Sequence, residues 1–503
     1  MEFELKGNFF DGQYIFPKTT GPEATEHFIE RYCPSNLNQR LWKCLIDYSH
    51  VEPIIDSAKE GFQKWRSTKL EDRIQALKRY QEQVVLIKKE LSRSISLETG
   101  KPLWESLIEV DNIITQVEIC TQGSFPQLDT QTSHNKNKQF TERTLHKPIG
   151  PCAVIGPFND PCNLVNKKIL SALIAGNSII LKPSEKTCYS GQLLIDCFFL
   201  SGFPKGVINL IQGDGEIARR LVQNKEIKGV FFTGSKETGK KIVQSTYKDL
   251  DKVVSLNLGG KNVSLIFKDA HIENTLIELL KGCFLTTGQN CTSTALVAIH
   301  KDIQGPFIKK FHEMAKKIIV DHPLDHNKEP FMGPLADKKT LDNFLLFIGM
   351  AKREGIEEIM RGKLLSKKYR GHYVSPSIHS IDFFNPKSHF LISEILGPNC
   401  TFIPFDTIEE SIKISNAVSH NLVSSVFTED KGIFEYCVNE INTDYIHLNR
   451  STIQRNPRDN FSNIQRSGNR NLSRTPSLNP FSYQLLCLEP EEESTIPPLK
   501  GLI

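Results

Sequence analysis

The run NSIILKPSEKTCYSGQLLIDCFFLSGFPKGVINLIQGDGEIARRLVQNKEIKGVFFTGSKETG, residues 177–239, decides the fold. It reads as three short apolar strands, NSIILK, GVINLIQG and GVFFTGS, separated by the helices YSGQLLIDCFFLSG and EIARRLVQ. Strands joined through helices rather than hairpins run parallel, and their nearly continuous apolar character requires cover on both faces. The fold class is therefore α/β with an open, mostly parallel sheet.

The pattern extends in both directions. Upstream, residues 147–156 (KPIGPCAVIG) supply another buried strand, and residues 22–120 read as mostly helical around EDRIQALKRYQEQVVLIKKELSRSISLETGKP. A further helix is expected from Leu103 and Trp104 to Cys120, and residues 123–139 turn polar as a loop or exposed ribbon. Downstream, NVSLIF, ALVAIH, FMGPLA and HFLISEI read as strands around helices such as GPFIKKFHEMAKKI, which predicts a second α/β domain from about Leu256. Residues 449–479 form a loose loop rich in Arg, Asn and Ser, FSYQLLCLE a late strand, and residues 491–503 a tail.

Composition excludes several classes. With 62 basic against 58 acidic side chains and a net charge of +4 over 503 residues, the chain lacks the concentrated positive field of a nucleic-acid binder. Its most apolar segment, Ile169 to Leu181, is broken by two serines, a glycine and an asparagine and falls short of the roughly 20 residues a membrane span needs. The start, MEFELKGNFFDG, does not read as a secretory signal, so a cytoplasmic location is expected. Twelve cysteines without a CxxC pair predict neither a metal site nor a disulfide scaffold.

Four features carry candidate chemistry. Gly234 and Ser235 end a strand where a helix begins, and free N–H groups there suit a pyrophosphate, although a purely structural turn has the same pattern. Lys182 and Glu185 lie just beyond another strand, at the edge where open sheets bind ligands; there a carboxylate can hold ribose hydroxyls. Asn159 offers an amide donor on a turn, suited either to a developing oxyanion or to local backbone capping. Cys291, in GQNCTS, is either an inert core thiol or a nucleophile able to attack an aldehyde carbon.

Five motifs in this order, NSIILKPSEKT at 177–187, FTGSKETG at 232–239, LNLGGKN at 256–262, GQNCTS at 288–293 and SEILGP at 393–398, resemble the NAD(P)-dependent aldehyde dehydrogenase superfamily. ETGKPLWES at 98–106, GFPKGVINLIQGDGE at 202–216, FMGPLADKK at 331–339 and RSGNRNLSRTPS at 466–477 are most similar to its succinylglutamate-semialdehyde group. The resemblance implies Cys291 as nucleophile and Asn159 as oxyanion donor. It places Lys182 and Glu185 on the adenosine ribose, Gly234 and Ser235 at the pyrophosphate, Leu258 and Gly259 at the nicotinamide, and Glu394 on the nicotinamide ribose.

The same resemblance implies NAD as cofactor, with NADP the other option, a small-molecule aldehyde as substrate, and a homodimer or dimer-based tetramer. It divides the chain into an aldehyde dehydrogenase-like NAD-binding domain (1–123 and 147–255), a catalytic domain (256–448) and an oligomerisation arm (124–146 and 480–490).

Several positions depart from the family pattern. Asn257 stands where a glutamate usually precedes Leu-Gly-Gly and activates water, and an amide cannot take that proton. A methylmalonate-semialdehyde branch shares this asparagine and releases its acyl group to coenzyme A, which makes CoA acylation the alternative function; a fold that has lost turnover is the other. Asp160 replaces an apolar or aromatic residue near the substrate channel, where it either faces Cys291 or caps the backbone. Phe461-Ser462-Asn463 replaces Phe-Gly-Gly, Asn421 replaces a glycine, and Arg466 and Arg470 are substrate-binding candidates within an arginine-rich loop.

Overall fold

The computed structural model describes residues 2–18, 27–122, 131–135, 140–453, 468–469, 479–490 and 501. The 177–239 run forms the strands Ile179–Lys182, Ile208–Leu210 and Gly229–Gly234 and the helices Cys188–Leu200 and Gly215–Gln223. These strands join Cys152–Ile155 and Val253–Leu258 in a parallel array, and the antiparallel pair Asn8–Phe10 and Gln13–Ile15 completes a seven-stranded sheet. Across it, Leu256 lies opposite Phe232, Phe232 opposite Ile155, and Ile155 opposite Lys182. Four strands thus end in register, and Lys182, Ser235 and Leu258 lie along one carboxyl edge.

A second seven-stranded sheet is ordered Glu357–Met360, Ser377–Ser380, Asn399–Phe405, Thr294–His300, Asn262–Ile266, Val423–Phe427 and Tyr445–Leu448. Only its outermost pair, Glu357–Met360 with Ser377–Ser380, is antiparallel. The molecule is therefore α/β with two open, mostly parallel sheets, as its strand and helix alternation requires. The strand Val253–Leu258 belongs to the first sheet and spans the expected domain junction at 255 and 256. The late strand Ser482–Pro490 pairs along its length with Phe140–Pro148, which pairs in turn with Gln131–Asn135.

Three sequence expectations fail locally. Within 22–120 the strands Phe28–Cys33 and Asn36–Leu45 form an antiparallel hairpin before the helices begin, because Pro34 and Ser35 make a turn between segments of roughly alternating exposure. FMGPLA is not a strand: only Met332 bridges, to Val320, while the backbone at Gly333 packs so tightly that a Cβ there would lie 1.8 Å from the Gly100 oxygen. HFLISEI contains the short helix His389–Ile392, started by Ser388, whose Oγ accepts from Leu391 N at 3.0 Å. Asn421 lies outside the set of non-glycine residues with positive φ, so its replacement of glycine imposes no left-handed strain.

Among the described residues no helix is long and apolar enough to cross a membrane. Helix Val51–Trp65 packs on the first sheet through Gly61, where a Cβ would lie 2.0 Å from the Gly206 carbonyl carbon. Gly61→Ala is expected to destabilise the fold by about 1–3 kcal/mol through overpacking, read as a lower urea midpoint with unchanged slope.

Candidate active site

Helix Ile272–Phe284 ends in a turn that delivers Cys291. In succession Thr286, Thr287 and Gly288 have φ of 54°, 54° and 65°. Left-handed backbone costs an L-residue roughly 1–2 kcal/mol, and for β-branched threonine it is a marked outlier. Glycine is needed at 288 because a Cβ there would lie 2.2 Å from the Gly397 oxygen. The Glu105 carboxylate holds the turn by accepting from Thr286 N at 2.9 and 3.2 Å, and Thr287 Oγ1 donates to the Gly333 carbonyl at 3.0 Å. Gln289 ties both sides: its Oε1 accepts from Ala336 N at 2.9 Å while its Nε2 donates to the Thr286 carbonyl at 3.2 Å.

Asn262, fully buried at the start of its strand, fixes the far side of the nucleophile. Its Nδ2 donates to the carbonyls of Cys291 and Ser293, each at 2.9 Å, while Oδ1 accepts from Leu422 N and Val423 N at 3.0 Å. The Cys291 Sγ donates to Asn290 Oδ1 at 3.7 Å. Asn159 Nδ2 donates to the Gln289 carbonyl at 2.9 Å, so this amide lies against the nucleophile turn rather than serving as a remote cap.

Asn257, Leu258 and Gly259 leave the first sheet directly beneath this turn. A Cβ on Gly260 would come 2.8 Å from the Cys291 oxygen, and one on Gly259 would fall 1.9 Å from Glu394 Oε2. Glu394 therefore occupies the space that any larger residue at 259 would fill. Burial pushes its carboxyl up to about 7, against the opposing effects of Lys261 and the Gly260 N–H. Lys261 is fully buried, donates to the carbonyls of Phe390 and Ser393 at 3.0 and 2.7 Å, and is pulled down to about 7 by desolvation. Asn257 is 9% exposed, and its buried Oδ1 has no hydrogen-bond partner among the described residues. Buried polar atoms are normally satisfied, and this oxygen is one of the exceptions among the described residues.

Beside the turn lies a cavity of about 390 Å³ whose wall includes Thr286, Asn290 and Asp160. Helix Leu103–Gln122 lines it with Glu105, Glu109, Asn112 and Gln116, a polar stripe at helical spacing on its inward face. Lys101 Nζ pairs with Glu109 Oε2 at 2.6 Å, both buried. Burial raises the Glu109 carboxyl despite that cation, and it lifts Glu105 to about 7, where Lys101 and the Thr286 hydrogen bonds oppose it. Asp160 does not cap a backbone amide: its Oδ2 accepts from Asn163 Nδ2 at 2.9 Å, and it lines the cavity with Lys101 and Glu109. Sequence motifs alone do not single out Glu105, Glu109, Gln289 or Asn262; the four-residue spacing of Glu105 and Glu109 on one helix face is the signal that points to the acidic pair.

The cofactor candidates gather at the carboxyl edge of the first sheet. Buried Lys182 faces Glu185 at 4.0 Å, and the Glu185 side chain is 53% exposed. Desolvation lowers the Lys182 ammonium. Ser235 caps helix Lys236–Thr246, its Oγ accepting from Thr238 N at 3.3 Å, and Gly234 ends the strand before it. A lysine and carboxylate on one strand end, a helix amino terminus on a nearby strand, and the glycine cradle against Glu394 suit the ribose, phosphate and nicotinamide ends of a dinucleotide. Phe461, Ser462, Asn463, Arg466 and Arg470 lie outside the described residues.

The model of the aldehyde dehydrogenase family matches residues 21–483. N-succinylglutamate 5-semialdehyde dehydrogenase of Novosphingobium aromaticivorans is 30% identical over 419 residues, 83% of this chain and 88% of that protein. D-glyceraldehyde dehydrogenase (NADP(+)) of Picrophilus torridus is 31% identical over 407 residues, 79% of this chain and 80% of that protein. The crystal structure of PnpE from Pseudomonas sp. WBC-3 superposes with a TM-score of 0.90 at 25% identity, covering 99% of each chain, and PnpE was also solved in complex with nicotinamide adenine dinucleotide.

Two outcomes follow from the geometry. Ten of the twelve cysteines are buried, and burial pushes thiols such as Cys120 and Cys197 up to about 12; only Cys291 and Cys487 are partly exposed. Brief iodoacetamide treatment of the native protein followed by peptide mass mapping is expected to label these two alone. Asn262→Ala leaves several buried backbone groups without partners and is expected to cost roughly 3 kcal/mol or more, measured by urea unfolding.

Proposed function

The chain belongs to the aldehyde dehydrogenase family, and we propose that this NAD(P)-dependent enzyme oxidises a semialdehyde quickly through a covalent Cys291 adduct but releases the acid slowly. The observation that carries this reading is Asn257: a buried amide precedes Leu258 and Gly259, at the position where the family resemblance expects the glutamate that accepts a proton from water. The first substrate to test is N-succinylglutamate 5-semialdehyde, which the names of several relatives point to.

Cys291 as thiolate adds to the aldehyde carbon, forming a C–S bond and an alkoxide. Asn159, reoriented from the Gln289 carbonyl by a rotation of its amide, and the Cys291 backbone N–H supply donors to that oxygen, each such donor contributing about 3 kcal/mol in a well-formed site. When bound, NAD(P)⁺ would supply the acceptor for the former aldehyde hydrogen as hydride, and the adduct would become an acyl thioester on Sγ. Lys182 and Glu185 would hold its adenosine ribose, Gly234 and Ser235 its pyrophosphate, Leu258 and Gly259 its nicotinamide region, and Glu394 its nicotinamide ribose.

Release by water needs a base that accepts its proton as the oxygen attacks the thioester. The Asn257 amide cannot accept that proton near neutral pH, and loss of a positioned base costs about 10²–10⁴-fold in the affected step. A thiolate acceptor such as coenzyme A bypasses this requirement, which makes Asn257 the specific observation favouring acyl transfer as the second reading.

Rapid mixing with NAD⁺ and N-succinylglutamate 5-semialdehyde is expected to give a burst of about one NADH per Cys291, followed by a slow steady state. Asn257→Glu is expected to raise the steady state toward the burst rate. Turnover restored by coenzyme A would select the second reading, and a wild-type steady state as fast as the burst would remove the proposed block.

A further inference from the structure

We infer that Glu105 is a positioning residue for the nucleophile: its carboxylate holds Thr286 and Thr287 in a left-handed turn that the backbone would otherwise abandon, and so keeps Cys291 aimed at the substrate. The inference rests on the reading of Cys291 as the nucleophile.

Glu105 and the turn belong to different parts of the chain. Glu105 stands in the first turn of helix Leu103–Gln122, which packs with the first sheet's layer of helices, whereas Thr286 leaves helix Ile272–Phe284 beside the second sheet. Both carboxylate oxygens accept from the Thr286 N–H, at 2.9 and 3.2 Å, and the threonine hydroxyl bonds the same carboxylate. Thr286 and Thr287, each with φ of 54°, put two successive β-branched residues in a region that L-residues adopt singly, and Gly288 continues the turn without that penalty. Such strain persists only where the surroundings over-determine it. Thr287 and Gln289 supply two of the restraints through Gly333 and Ala336. Glu105 is the one of the three that accepts from the strained Thr286 N–H itself.

Without the carboxylate, the Thr286 N–H loses its acceptor in a mostly buried setting, and the turn relaxes toward ordinary negative φ. Cys291 lies five residues further on and would move with it, while the cofactor edge at Lys182, Ser235 and Glu394 would stay in place. A glycine at 286 enters the left-handed region without penalty, so it should make the carboxylate dispensable.

The test uses the full-length protein in four forms: wild type, Glu105→Ala, Thr286→Gly and the double variant. Glu105→Ala is expected to slow both the NADH burst and Cys291 alkylation by about tenfold or more, with the Kd for NAD⁺ within about threefold of wild type. The double variant is expected to recover to within about threefold, which restored charge or packing could not explain because glycine supplies neither. Glu105→Gln, which keeps one acceptor oxygen, is expected to fall between, and it replaces Glu105→Ala in the cycle should that variant not fold. An unchanged burst in Glu105→Ala, or a folded double variant as slow as the single one, would overturn the inference. Absence of a Cys291 adduct in the wild type would instead overturn the nucleophile reading beneath it.

Discussion

Only Gly259, Gly260 and Lys261 separate the last strand of the first sheet, Val253–Leu258, from Asn262, the first residue of a central strand in the second. That three-residue passage brings the carboxyl edge of the first sheet against the Cys291 turn. It leaves no room for side chains on the inner side: Glu394 occupies the space beside Gly259, and the Cys291 carbonyl lies against Gly260. At its end Asn262 bonds the nucleophile loop with one side of its amide and the start of strand Val423–Phe427 with the other. Backbone continuity and this buried amide thus fix one side of Cys291, and the contacts of Glu105, Thr287 and Gln289 restrain the turn that leads to it.

Around this junction the charged groups are arranged by burial. Burial lifts the Glu105 and Glu394 carboxyls and lowers the Lys261 ammonium. In each case desolvation is the leading cause, opposed by a neighbouring charge of opposite sign or by hydrogen bonds. Asn257 is the exception, a buried neutral amide whose oxygen has no hydrogen-bond partner among the described residues.

The cavity explains why Asp160 is tolerated. Its carboxylate is hydrogen-bonded by Asn163 and stands near the Lys101–Glu109 ion pair, so it joins a buried polar network instead of meeting bare apolar surface. Gln116, from the stripe on helix Leu103–Gln122, holds Asn163 in turn, while Lys101 offsets the like charges of Glu105, Glu109 and Asp160.

The sequence by itself determined the parallel α/β architecture, because short apolar strands alternating with helices admit few other packings. Its local motifs also single out the candidates Cys291, Asn159, Lys182, Glu185, Ser235, Gly259 and Glu394, with Asn257 as a departure from the family pattern. It misread HFLISEI and FMGPLA as strands, since short apolar runs carry no decisive period and the caps that settle them come from distant groups such as Glu354 and the Gly100 backbone. Only the tertiary structure decided that Asp160 faces the cavity, that Asn262 bridges two strands through the nucleophile loop, and that Glu105 holds a turn 181 residues away. Those facts depend on contacts between segments far apart in the chain. Local propensity and spacing encode the elements, while burial and long-range hydrogen bonding fix where each side chain points.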